Sequence, residues 1–291
     1  MLNTRVKNSK KAAARNGQMN KLLEQCLFVK NPSRFSELRS EAFDFRNEYI
    51  GDTIVRDSIF EIIIRYAESN SNTLKLLRYP IADDNIWAFT CVKENVLFVT
   101  INTSLALNKQ IFAAAHELYH IYRFINDQKT DFVVHGSLLT TKEVDNPDTV
   151  EEDCEANAFA ALVLAPKEQI EQQQKLKGKS FTESDITDLI SFMDTFALPY
   201  KAMVLKLFEC KRYNEQQVDY LLSDEAKKII TDYAVASDIG KRWLQPTYEN
   251  NLDALRALVE ANGKSFVLPE QRISEDIKTI DDIVKELPVK K

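Results

Sequence analysis

The sequence is poor in cysteine and histidine, lacks a long apolar run and carries no excess of positive charge. Its 291 residues include four cysteines, at 26, 91, 154 and 210. They are too few and too scattered for a disulfide framework, and with no CxxC pair there is no metal knuckle; reduced thiols and a cytoplasmic setting are expected. Acidic residues outnumber basic ones by 44 to 38, a net charge of -6. That balance argues against nucleic acid or an acidic membrane as a direct partner of the whole surface. No apolar stretch is long enough to span a bilayer. Arg5, Lys7, Lys10, Lys11, Arg15 and Lys21 precede the first acid, Glu24, yet no apolar segment follows them that would complete a secretory signal. Internal repeats and low-complexity tracts are also missing.

What is present suits a folded chain with a real core, because 44% of the residues are apolar. Residues 1–32 read as a basic leader, partly disordered. Helical spacing of apolar residues covers Ser36 to Tyr49 and Ile54 to Ala67. Three short runs rich in β-branched and aromatic residues follow, Leu74 to Tyr79, Ile86 to Val92 and Val96 to Ile101, the last two joined as a hairpin. Lys109 to Phe124 predicts a well-buried helix, Phe132 to Thr141 a loop, and Asp148 to Leu164 a helix that stops before Pro166. Glu183 to Phe196 and Pro199 to Lys211 form a pair resembling a helix-turn-helix, and the chain past Asn214 is helical in pattern to its end. The expected domains are therefore 33–214, including the helix-turn-helix-like region at 183–211, and a helical C-terminal region, 215–291.

Chemistry concentrates in His116-Glu117-Leu118-Tyr119-His120, which fits H-E-x-x-H. On a helix, residues four apart share a face, so both imidazoles can reach one ion. Zinc held by two such nitrogens and a third protein ligand keeps one position open and lowers the pKa of a bound water to about 7. Glu117, next to the first histidine, is then placed to take that proton. The chain has three histidines and spends two of them here.

The third ligand is sought in Glu151-Glu152-Asp153-Cys154-Glu155-Ala156-Asn157. Asp153 shares a face with Asn157 and the small Ala156 and Ala160, and Asn157 can support a histidine from behind. Glu152 is the competing ligand, with more reach and only one position earlier. Glu151, Glu152 and Glu155 otherwise read as solvated acids that complement the helix dipole, and Cys154 points about 100° away from Asp153. His135, Tyr119, Tyr122 and Tyr79 are candidates for steadying a developing oxyanion, with no sequence feature to choose among them. These elements predict an α+β fold: a zincin-like core of a small sheet packed on the HExxH helix and a second ligand-bearing helix, followed by the helical C-terminal region.

The two segments AAAHELYH and DCEANAFAALVLAP together resemble the ImmA/IrrE family of metallo-endopeptidases, as does, more loosely, the region from about 54 to 213. That resemblance implies an intracellular zinc endopeptidase whose protein substrate is a helix-turn-helix transcriptional repressor of a mobile element or stress response. Two departures stand out. Tyr119 replaces the usual glycine before the second histidine, where its bulk would narrow the cleft, and Asp153 stands where a glutamate ligand is usual. Two rivals accompany this reading: a zinc-binding regulator that sequesters such a repressor, and a DNA-binding regulator using 183–211 and the basic leader. Leu205, Leu207 and Phe208 count against the latter, since base edges are read by Arg, Lys, Asn or Gln.

Overall fold

The computed structural model describes residues 21–93, 95–127, 137–141, 151–176, 186–236, 238, 240–264 and 269–287. Two short helices, α1 (Lys21–Gln25) and α2 (Leu27–Lys30), bury Leu23 and Leu27, so the last part of the expected leader is folded onto the core. In α3 (Pro32–Tyr49) the Asn31 side chain accepts from the Arg34 N–H at 3.2 Å and Pro32 takes the first position. This cap starts the helix at Pro32, ahead of the expected Ser36. A 3₁₀ turn, Arg56–Ser58, delays α4 (Ile59–Ser69), which buries Ile59, Ile62, Ile63 and Tyr66.

The sheet is built from β1 (Thr73–Tyr79), β2 (Ile86–Lys93) and β3 (Val96–Asn102), with α5 (Leu107–Asp127) crossing it and β4 (Ser137–Thr140) closing one edge. Its order is β1-β3-β2-β4. β2 and β3 pair antiparallel, as the hairpin pattern predicts, with Asn95 at φ 63° in the left-handed region that asparagine tolerates. β1 pairs parallel to β3, a relation no local pattern encodes. β4 corrects the expectation of a loop at Phe132 to Thr141: its four residues pair antiparallel with β2, too short a run for alternation to register. Ala88 and Thr90 of β2, Leu97, Val99 and Ile101 of β3, and Leu139 of β4 are buried, forming the face on which α5 lies.

Residues 110–121 of α5 are all buried, which is why alanines fill Ala113 to Ala115: a helix with no solvent face needs small side chains where sheet and helices approach it. α6 (Glu151–Leu164) packs against both α5 and α3, with Ala156 and Ala160 fully buried. Phe45, Tyr66, Tyr122 and Phe159 lock α3, α4, α5 and α6 together through ring contacts at 5.1 to 6.2 Å. The C-terminal end of α6 is held by Arg46, whose guanidinium donates to the Val163 carbonyl and, at 3.1 and 2.9 Å, to those of Gly51 and Thr53.

α7 (Lys167–Leu176) follows Pro166 and lacks an apolar periodicity in the sequence, its apolar residues being the buried Ile170 and the exposed Leu176. α8 (Ile186–Phe196) and α9 (Tyr200–Glu209) match the expected pair. Leu207 is fully buried, and Leu205 and Phe208 pack on the core, so the would-be recognition helix spends its face internally. α10 (Glu215–Leu221), α11 (Asp224–Ala236) and α12 (Lys241–Leu244) continue, α10 beginning with a reciprocal Asn214–Gln217 capping box.

The expectation that the chain past Asn214 is helical in pattern to its end is corrected at the segment 245–251, which is not helical. It runs irregularly over the core, with Tyr248 at φ 51°, before α13 (Leu252–Lys264) and α14 (Glu270–Glu286) form a terminal hairpin. Asn251 donates to the Leu76 carbonyl at 2.9 Å and accepts from the Arg78 N–H at 2.7 Å, covering the open edge of β1 as a strand would. The Gln245 carbonyl accepts from Leu107 N–H at 3.0 Å, satisfying an orphan donor at the start of α5. The C-terminal region is thus physically tied to the helix that carries the H-E-x-x-H motif.

Candidate metal centre and active site

His116 and His120 project from α5 toward α6, where Asp153 meets them. Their Nε2 atoms lie 3.1 Å apart, and each is 3.7 Å from Asp153 Oδ1. Among the described residues these three form a group able to hold a metal ion. Zinc–ligand bonds of about 2.0 to 2.1 Å at tetrahedral angles require donor atoms about 3.3 Å apart, close to the triangle observed.

Proton placement makes the same point. His116 Nδ1 is 3.0 Å from Asn157 Oδ1 and His120 Nδ1 is 3.4 Å from Glu152 Oε1. Each acceptor draws the ring proton to Nδ1, which turns the Nε2 lone pairs toward each other and toward the Asp153 carboxylate. Three electron-pair donors then converge, two of them on buried imidazoles, where a cation would satisfy them together. Burial by itself lowers the His120 imidazole, but Asp153, Glu152 and Glu117 carry it up to about 9. Burial likewise raises Asp153, and the two imidazoles outweigh it, holding the carboxyl well below the usual range. The residues present therefore fit a metal of the zinc type.

Glu117 is fully buried beside this group. Its Oε2 accepts from Thr90 Oγ1 at 2.6 Å and from the Ser137 hydroxyl, while Oε1 is buried without a hydrogen-bond partner. Neither hydroxyl was singled out in the sequence. Thr90 sits on the inward face of β2, and Ser137 lies in a strand read as loop, so only the alternation of β2 offered a signal.

The remaining candidates separate. Tyr119 does not narrow a cleft: it is fully buried and points into the packing between α5, α6 and α3. Its hydroxyl donates to Glu155, which also takes two bonds of 2.9 Å from the Arg34 guanidinium. Glu155 is accordingly not a solvated acid, because a basic side chain from α3 covers it. Glu151 is exposed, as expected. Cys154 lines a cavity of about 110 Å³ with Cys26, Phe28, Phe112, Asn157 and Leu205, and burial raises its thiol. Tyr122 stacks on Phe159 at 5.6 Å. Tyr79 belongs to β1, at the opposite edge of the sheet from β4. His135 lies outside the described residues.

With this geometry established, comparison with known proteins adds one observation: the family model of the IrrE N-terminal-like domain, Peptidase_M78, matches residues 60–208. The chain belongs to this family. The match spans the sheet, the H-E-x-x-H helix, α6 and most of α9, and makes the protein a member of a metallopeptidase family. No curated protein matches the chain. The peptidase region excludes the terminal hairpin and also the 245–251 segment that braces the start of α5. Among the described residues no helix is long and apolar enough to cross a membrane, and all four cysteines are free.

Two expected results arise here. Asn157→Ala removes the acceptor that orients His116, and should weaken zinc affinity about 10- to 100-fold while leaving thermal stability nearly unchanged; competition with a chromophoric chelator measures it, and unchanged affinity would refute the role. Arg34→Ala leaves Glu155 partly buried, its side chain only 14% exposed, without its cation. A loss of about 2 to 3 kcal/mol of stability is expected, below the full cost of breaking a buried pair because water reaches the site. Burial raises the Glu155 carboxyl, but Arg34 and Tyr119 more than offset this and hold it below its ordinary value. The pair's contribution is therefore complete above the unfolded carboxyl's pKa of about 4.3 and is lost as pH falls through the lower folded value. The gap in denaturant midpoint between wild type and Arg34→Ala should narrow over that acidic range and stay constant above it.

Proposed function

We propose that this peptidase is a zinc-dependent endopeptidase in which His116, His120 and Asp153 hold the metal and Glu117 moves the proton. The observation that carries the reading is the convergence of three donor atoms beside a buried carboxylate with one free oxygen. Zinc, when bound there, supplies a Lewis acid that polarises the scissile carbonyl and makes water a competent nucleophile near neutral pH. Glu117 accepts the proton of the attacking water on Oε1 and returns it to the leaving amine, so one side chain serves as base and then as acid. Asn157 and Glu152 keep the imidazole protons on Nδ1 of the two buried rings.

The substrate we propose is a helix-turn-helix repressor, cut inside the cytoplasm; family resemblance supports this choice. Its test is co-expression with a repressor encoded beside this gene, followed by intact-mass measurement. Wild type should cut the repressor at one site, and Glu117→Gln should leave it whole. If Glu117→Gln lifts repression equally while the repressor stays intact, the protein works by sequestration and the hydrolytic reading fails.

A further inference from the structure

Glu117 is held from the sheet by two hydroxyls that sit opposite each other in the strand register. Thr90 of β2 and Ser137 of β4 are directly paired. Ser137 Oγ accepts from the Thr90 N–H at 3.2 Å, which turns its own proton outward, and both hydroxyls donate to one oxygen, Glu117 Oε2. The other oxygen, Oε1, is buried and has no hydrogen-bond partner. A carboxylate has about four acceptor sites, and a fully buried one left half satisfied is unfavourable unless something else occupies the open half. An ordinary structural glutamate at a sheet–helix contact would be tied through both oxygens. Here the hydroxyl donors meet on one.

We propose that Thr90 and Ser137 form a two-hydroxyl cradle that positions Glu117, fixing Oε2 so that Oε1 stays free for the proton it carries. The inference rests on the reading of Glu117 as the proton carrier. Because a proton acceptor must lie within about 2.6 to 3.2 Å of its donor in the reactive pose, a carboxylate free to rotate about its last bond spends much of its time wrongly aimed. The cradle removes that freedom without touching a metal ligand. It also gives β4 a specific task, since the strand delivers the second hydroxyl to the helix that bears the two histidines. Thr90 and Ser137 are thus positioning residues.

The test has two arms. Crystal structures of metal-free wild type, Thr90→Val, Ser137→Ala, the double variant and Thr90→Ser give the Glu117 side-chain angles without substrate or metal. Thr90→Ser should preserve the wild-type orientation, and the double variant should show the carboxylate turned or split between conformers. An unmoved carboxylate in the double variant overturns the proposal. In the second arm, zinc-loaded proteins are assayed on fluorescein-labelled casein. Each single loss of a hydroxyl should lower kcat about 10-fold and the double loss about 100-fold, with KM within about twofold and zinc content unchanged; Thr90→Ser should recover most of the rate. Wild-type kcat in the double variant also overturns the cradle. A purely structural role would lower Tm and leave the kcat of the folded fraction intact. Should wild type itself leave casein intact, the carboxylate orientation alone decides the cradle, and the proposed activity is judged separately on cleavage of the repressor.

Discussion

Glu117→Gln should abolish hydrolysis while keeping the metal, a loss of about 10²- to 10⁴-fold or more in kcat. The substitution is nearly isosteric, and both cradle hydroxyls can reverse their direction to accept from or donate to the amide, so the fold has no reason to change. Removing a buried charge relieves a cost where burial is complete, and Tm should not fall. What disappears is the buried carboxylate proposed to take the proton beside the donor triangle and release it. By contrast, His116→Ala or His120→Ala removes one of the two electron pairs 3.1 Å apart, and the remaining nitrogen and carboxylate are a weak pair for zinc. Metal analysis after dialysis should find about one zinc per chain in wild type and Glu117→Gln, and little in either histidine variant. Full occupancy in the His116→Ala, His120→Ala double variant would place the metal elsewhere. Turnover by Glu117→Gln within tenfold of wild type would show that another group carries the proton.

How much of this was legible depends on the range over which each feature is encoded. The H-E-x-x-H pair and the Asp153–Asn157 spacing are local, since a helix turns i and i+4 to one side whatever surrounds it, so the sequence places both sets of side chains on usable faces. The β2–β3 hairpin is local too, because its two strands are adjacent in sequence and joined by a short turn. The parallel pairing of β1, the edge strand β4 and the return of Gln245 to Asn251 over β1 join residues far apart in the chain, and no periodicity reports them. Glu155 shows the limit most clearly. As a first-turn acid it reads as solvated, and only the approach of Arg34 from α3 reveals that it is an anchor. For Thr90 the alternation of β2 places the residue on the inward face but not its role, and Ser137 has no local signal at all, until pairing sets the two side by side under Glu117.

The second large effect is expected at Asp153. Asp153→Asn should weaken zinc binding by more than about 100-fold, exceeding the roughly 10- to 100-fold that outer partners command, whereas Glu152→Gln should fall within the outer range. The two acids lie against opposite edges of the His120 imidazole. Asp153 Oδ1 is 3.7 Å from both Nε2 atoms, the side on which the lone pairs meet. Glu152 Oε1 approaches His120 at Nδ1, 3.4 Å away, and its side chain is 42% exposed. A carboxylate on Nδ1 holds the ring proton in place and cannot coordinate the ion bound at Nε2 of the same ring without swinging round it. The short aspartate reaches because Ala156 and Ala160 are fully buried and let α6 approach α5 closely. Glu155→Gln should leave zinc affinity unchanged and lower Tm instead, since its partners are Arg34 and Tyr119. All three changes are isosteric, so chelator competition on folded protein compares them directly. If Glu152→Gln loses the metal and Asp153→Asn retains it, α6 must rotate on metal binding, and the third ligand is Glu152.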